Sequence, residues 1–138
     1  MSNPDCIFCK IVAGEAAAVK ITETEHALAF KDLFPASPGH ALVIPKLHYE
    51  NLFEATTETL PAVHLLARRV ARAIRSALQP DGLMVFQLNG AAAGQTVFHY
   101  HVHLIPRMSG SEFKLHGRER ATDASLAALA QRITTALE

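Results

Sequence analysis

The chain has 138 residues, 49% of them hydrophobic and 19% charged, with a formal net charge of zero. That fits one domain over residues 1–138 with a buried core, and it lacks the basic bias of a protein that grips nucleic acid through its phosphates. No apolar run reaches the roughly 18 residues that span a bilayer, and the start carries Asp5 and no basic region ahead of a long apolar stretch, so no membrane partner and a soluble, cytoplasmic protein are expected.

Ile7, Phe8, Ile11 and Val12 recur at helical spacing and stop at Gly14, which predicts a short helix over 7–13. Ala18 to Thr22 and Ala27 to Phe30 read as a strand pair around the polar turn Glu23-Thr24-Glu25. Two prolines and a glycine in Asp32-Leu33-Phe34-Pro35-Ala36-Ser37-Pro38-Gly39 oppose helix and sheet, so a shaped loop delivers the chain to His40. Ala41 to Pro45 then reads as a strand buried on both faces, with His48 just past its end.

From about Thr56 to Leu78, Leu60, Val63, Leu66, Ala67, Val70, Ile74 and Leu78 follow a helical period, with Arg68, Arg72 and Arg75 on another face. Pro80-Asp81-Gly82 closes this helix, Leu83 to Leu88 follows as a strand, and a loop from Asn89 to Thr96 leads to a strand rich in histidine. After Pro106 a polar connection with Gly117-Arg118-Glu119-Arg120 is expected to be mobile. A last helical stripe, Leu126, Leu129, Ala130, Ile133 and Leu137, begins at a cap on Thr122 or Asp123. About five strands with few helices and tight hairpins predict an α+β domain with a mainly antiparallel sheet.

His99, His101 and His103 stand at two-residue spacing, so an extended strand puts them on one face and Tyr100, Val102 and Leu104 on the other. Neighbours on that face are about 7 Å apart in a regular strand, too far for three rings to converge on one metal with bonds of about 2 Å. A reactive row fits better than one shared metal. The Asn89 to Thr96 loop offers small residues with Asn89, Gln95 and Thr96 as donors, which would suit a phosphate, although such a loop is more often only a turn. Cys6 and Cys9 leave three readings open: a redox pair, half of a metal site, or two small buried residues.

The segment from Gly94 to Arg107, with His99-Tyr100-His101-Val102-His103, resembles the signature of the histidine-triad (HIT) family of nucleotide hydrolases and transferases. Cys6-Ile7-Phe8-Cys9, Ala29-Phe30-Lys31-Asp32 and Pro38-Gly39-His40 through Lys46 with His48 occur in the family's order, so the resemblance covers roughly residues 5–107 and is nearest the bacterial Hint-like branch. It implies a HIT-like fold with one long central helix, a short N-terminal helix and a C-terminal extension with a helix at about 123–137. It also implies an enzyme that cleaves purine nucleoside monophosphate conjugates, first among them phosphoramidates, through a nucleotidyl intermediate on His101. By the same resemblance His103 sits near the scissile bond, His40 supports the nucleophile and Thr96 contacts phosphate or leaving group. Asp32 takes the ribose hydroxyls, Phe30 and Leu33 wall the base, and Asn89, Gly94 and Gln95 line the phosphate pocket.

Members with the two cysteines resemble a Cys2His2 zinc site, which here falls on Cys6, Cys9, His48 and His99. Four protein ligands leave no open position, so that zinc would be structural. No organic cofactor is expected, and the resemblance implies a homodimer to which the 56–78 helix contributes. The competing readings are a diadenosine polyphosphate hydrolase, a zinc-dependent hydrolase, and a nucleotide-binding or protein-interaction module with little catalysis that docks through the arginine face. His26, His64 and His116 read as ordinary histidines, and Tyr100 stands where the family usually has an aliphatic residue.

Overall fold

The computed structural model describes residues 2–114, 116 and 118–138. Its elements are α1 (Ile7–Val12), β1 (Lys20–Glu23), β2 (Ala27–Lys31), β3 (Ala41–Pro45), α2 (Thr59–Leu78), β4 (Gly82–Phe86), a 3-10 turn at Ala91–Ala93, β5 (Val102–Arg107) and α3 (Asp123–Thr135). The five strands form one sheet in the order β1-β2-β3-β5-β4, and every neighbouring pair is antiparallel. The predicted α+β architecture is borne out, including the long helix between the third and fourth strands.

Both faces of this sheet are covered. Ala27, Ala29, Ala41, Val43, Val102 and Leu104 pack with Val63, Leu66, Val70 and Ile74 of α2 and Ile133 of α3. On the opposite face Leu28, Phe30, Leu42 and Ile44 pack with Phe8 of α1. Every residue of β2 and β3 is therefore buried, as the apolar run in β3 requires. Each large apolar side chain so enclosed contributes about 1.5–3 kcal/mol. Among the described residues, no helix is long and apolar enough to cross a membrane.

Local chemistry sets the ends. Cys6 caps α1 by accepting the Cys9 N–H at its sulfur, and Thr122 caps α3 by accepting from Ser125 N. Gln79 adopts a left-handed φ of 48° to end α2, and Pro80 then forbids another turn. Tyr100 lies on the face opposite the histidines, which is the α2 side, and its hydroxyl lies 2.9 Å from His64 Nε2 on that helix, which is how a polar tip is accommodated in an apolar layer.

One expectation needs correction. The histidine row is not one regular strand: β5 begins at Val102, so His99 and His101 precede its ladder. The alternation of faces nevertheless survives, because Tyr100, Val102 and Leu104 are in the helix-side core while His99 and His101 meet Phe8 on the other side. The fourth strand likewise stops at Phe86 rather than Leu88, and the first starts at Lys20 rather than Ala18.

The polar connection after Arg107 is tied down at several points. Ser109 N donates to Asp81 Oδ2 at 2.7 Å, Phe113 packs edge-on against Phe86, and Ala121 N donates to Leu33 O at 2.9 Å. Gly117 of that connection lies outside the described residues.

Candidate functional site

The loop after β2 aims His40. Gly39 has a φ of 98°, and a Cβ there would stand 2.5 Å from Leu78 Cδ1 and 3.0 Å from Pro106 Cγ, so the loop presses onto α2 and β5 only with glycine. Asp32 Oδ1 accepts the Phe34 N–H at 2.8 Å, and Ser37 Oγ donates to Pro106 O at 2.5 Å.

His40 emerges fully buried, with Nδ1 accepting the Ala36 N–H at 3.0 Å. A neutral ring that accepts at Nδ1 carries its proton on Nε2. That proton points to His103 Nδ1 at 3.0 Å, with Asp32 Oδ2 at 3.5 Å beside it. His103 therefore accepts at Nδ1 and keeps its own proton on Nε2. Burial, then neighbouring positive charge, pushes His40 down to about 2 and His103 to about 3, so both rings are neutral.

Register fixes the flanks of His103. Leu42 of β3 and Phe86 of β4 are its Cα partners, and the Phe86 ring stacks on the imidazole at 4.5 Å and 19°. The His101 ring lies 4.9 Å from the His103 ring and meets Phe8 edge-on at 5.2 Å. His101 Nδ1–H donates to the His99 carbonyl at 2.6 Å. Burial lowers the His101 pKa, so its other nitrogen, Nε2, carries a free lone pair.

These rings border a cavity of about 400 Å³, a size that suits a small ligand. Ile7, Phe8, Ile11, Phe30, Leu33, Leu42 and Val97 make its apolar part; Asp32, Thr96, His101 and His103 are on its polar part. Of the residues singled out in the sequence, Phe30, Asp32, Leu33, Thr96, His101 and His103 thus come together around one cavity, and His40 backs His103. Asn89, Gly94 and Gln95 are placed in the neighbouring loop instead. Asn89 Oδ1 accepts from Leu52 N, Gly94 caps the 3-10 turn, and buried Gln95 ties Gly90 N to Glu50 O and Val97 O.

Sequence reading missed three polar wall residues: Lys31, His116 and Arg118. Lys31 is fully buried, which pushes its amine down to about 8. Arg118 Nη2 reaches to 3.5 Å from Asp32 Oδ2. Burial raises the Asp32 pKa, opposed by the Phe34 N–H and the charges of Arg118 and Lys31. The FKD tripeptide at 30–32 was the available signal for Lys31; nothing in the aperiodic stretch after Pro106 announces the other two.

A second cluster lies at the start of α1. His99 Nε2–H donates to Pro45 O at 2.9 Å, which leaves the Nδ1 lone pair facing Cys6 Sγ at 3.4 Å, Cys9 Sγ at 3.5 Å and His48 Nδ1 at 3.3 Å. Cys9 Sγ is 3.3 Å from His48 Nδ1. A tetrahedral zinc with bonds of about 2.0–2.3 Å has nitrogen–nitrogen edges of about 3.3 Å and nitrogen–sulfur edges of about 3.5 Å. The four residues fit that ion in both donor type and spacing. Burial raises the Cys9 pKa, so a cation is what would draw out its thiolate. Asp32, His40 and His103 also bring possible ligand atoms within 4.8 Å of one another, but His40 Nε2 carries a proton and has no lone pair to give.

A family model described as the HIT domain matches residues 13–110. Protein hit of Bacillus subtilis is 46% identical over 117 residues, 81% of this chain and 81% of that protein. Adenosine 5'-monophosphoramidase hnt1 of Schizosaccharomyces pombe is 45% identical over 102 residues, 74% of each chain. The crystal structure of a Zn-bound histidine triad family protein from Mycobacterium smegmatis matches with a TM-score of 0.84 at 39% identity, covering 96% of this chain and 92% of that one.

Proposed function

Because the chain belongs to the HIT domain family, we propose that it hydrolyses purine nucleoside monophosphate conjugates, phosphoramidates first, through a nucleotidyl intermediate on His101. The carrying observation is the set of proton positions in the three rings: a lone pair on His101 Nε2, and an N–H on His103 Nε2 backed by His40. That is one nucleophile beside one hydrogen-bond donor.

In the first displacement His101 Nε2 attacks the α-phosphorus while its Nδ1–H stays bonded to the His99 carbonyl, which stabilises the growing positive charge on the ring. The phosphorus–nitrogen bond breaks with His103 Nε2–H hydrogen-bonded to the departing nitrogen, which takes its proton from a water molecule. In the second, the hydroxide equivalent left by that water attacks the same phosphorus, frees His101 and releases the nucleoside monophosphate. One water is consumed over the two displacements and His103 keeps its proton. Asp32 would take the ribose hydroxyls through Oδ2, whose neighbours at 3.5 Å leave it poorly satisfied. Phe30 and Leu33 would hold the base, and Thr96 would donate to the phosphate. Asn89, Gly94 and Gln95 would shape the phosphate side from the loop.

The zinc reading belongs to the same proposal: Cys6, Cys9, His48 and His99 would hold the ion, which would tie α1 to the sheet and take no part in bond making. So does a homodimer joined along the β4 edge and α2, where Val85 and Leu65 are exposed at 54% and 55%.

The test is a panel of adenosine and guanosine phosphoramidates and dinucleoside polyphosphates, with any nucleotidylated peptide trapped by mass spectrometry. Phosphoramidate turnover with an adduct on His101 is expected. An adduct elsewhere, or no turnover of any substrate, overturns the mechanism, and faster cleavage of the polyphosphates overturns the leaving-group assignment.

A further inference from the structure

The cavity wall holds two cations that the reaction above does not use. Arg118 comes from the connection between β5 and α3, and only 14% of its side chain is exposed. Its Nη1 is buried and, among the described residues, meets no hydrogen-bond partner; the same holds for Lys31 Nζ. Both residues border the cavity, and among the described residues lining it Asp32 is the sole carboxylate. Its Oδ2 stands 3.5 Å from Arg118 Nη2, an ion pair too long for a good hydrogen bond, so Asp32 holds one arm of the guanidinium loosely and does not serve Nη1.

Buried donors without acceptors are costly, and the cost is recovered where a ligand brings the missing oxygens. A planar guanidinium matches the paired oxygens of a phosphate or carboxylate. The Arg118 charge is felt at His40 and His103, the rings on the hydrogen-bond-donating side of the site. One anionic phosphorus centre at His101 leaves such a group on that side unanswered.

We propose that Arg118, supported by the charge of Lys31 in the same wall, is a specificity-determining residue that binds a second anionic group, a phosphate or a carboxylate, on the nucleotide conjugate. This rests on the nucleotide-hydrolase reading. The anion has two possible sources, the leaving group and a phosphorylated ribose hydroxyl.

Three adenosine phosphoramidates separate them: one with a neutral alkylamine, one with glycine as the leaving amine, and one with the alkylamine and a ribose 3'-phosphate. In the wild-type protein one of the two compounds with the added anionic group should exceed the plain alkylamine compound in kcat/KM by about tenfold, the scale of one charge-assisted contact. The compound that does so identifies the source. Arg118→Met should bring that ratio to about one, and Arg118→Lys should keep part of it, which separates lost charge from a folding defect. Equal kcat/KM for all three compounds in the wild type, or a preference that survives Arg118→Met, overturns the proposal. If none of the three is turned over, the hydrolase reading fails by itself, and Kd values for the same intact compounds decide Arg118 by the same ratios; binding of none overturns both.

Discussion

His40 Nε2–H donates to His103 Nδ1 across 3.0 Å, and the direction of that bond is set from outside the pair, by the Ala36 N–H that occupies His40 Nδ1. A backbone donor in a proline-rich loop thereby decides which nitrogen of His103 keeps its proton. The relationship makes loop 32–39 part of the proposed chemistry even though His40 itself is off the cavity wall.

The same pair makes stability depend on pH. The folded-state values of about 2 and about 3 lie below the ordinary histidine value of about 6.5, so the unfolded chain binds protons that the fold refuses. The stabilisation is present above about pH 6.5 and is lost as pH falls toward 3 and then 2. The melting temperature should drop between pH 7 and pH 4, and His40→Asn should flatten that drop. Parallel curves for the two proteins would remove His40 as a source.

His101→Ala should lower kcat by at least about a thousandfold, as expected for the nucleophile of the proposed reaction. Its bound metal should stay, because the proposed cluster uses the ring of His99 and not that of His101. Loss of metal and turnover together would mean that the two histidines are wrongly divided.

Purified, reduced protein should carry one zinc per chain. Chelation should lower the melting temperature, while turnover measured below the new melting point persists. Immediate loss of activity in a still-folded protein would point to a zinc-dependent hydrolase instead. No zinc in fresh preparations would leave Cys6 and Cys9 as free thiols.

Gly39→Ala should destabilise by about 1–3 kcal/mol, since the new Cβ meets Leu78 and Pro106 at a positive φ. The displaced loop also carries His40, so kcat should fall with stability. Denaturant midpoints and initial rates on the same preparation test this, and a wild-type midpoint would show that the loop yields freely.

Sequence showed most of the scaffold. The apolar run at 41–45 announced a strand buried on both faces, and the alternation around Tyr100 and Val102 announced the faces of the histidine row. Where the β5 ladder starts was not legible. His99 and His101 are aimed by tethers to backbone carbonyls, the distant Pro45 O for the one and the nearby His99 carbonyl for the other, with Tyr100 N held by Tyr49 O at 2.6 Å. The position of Arg118 was hidden for a related reason: its segment has no periodicity of its own and is placed by contacts to Asp81, Phe86 and Leu33. Gln95 looked like a ligand donor because its amide could bind phosphate, but burial commits that amide to three backbone groups.

His99 serves two masters with different atoms. Its imidazole faces the cysteines and His48, and its carbonyl holds the His101 ring in place. Injury therefore travels in one direction along this short stretch of chain. Removing the His101 ring leaves the cysteine cluster whole, whereas a shift of the His99 backbone disturbs both the cluster and the acceptor that fixes the His101 tautomer. Damage to the thiols that spares that backbone costs stability and leaves the His101 ring where it was.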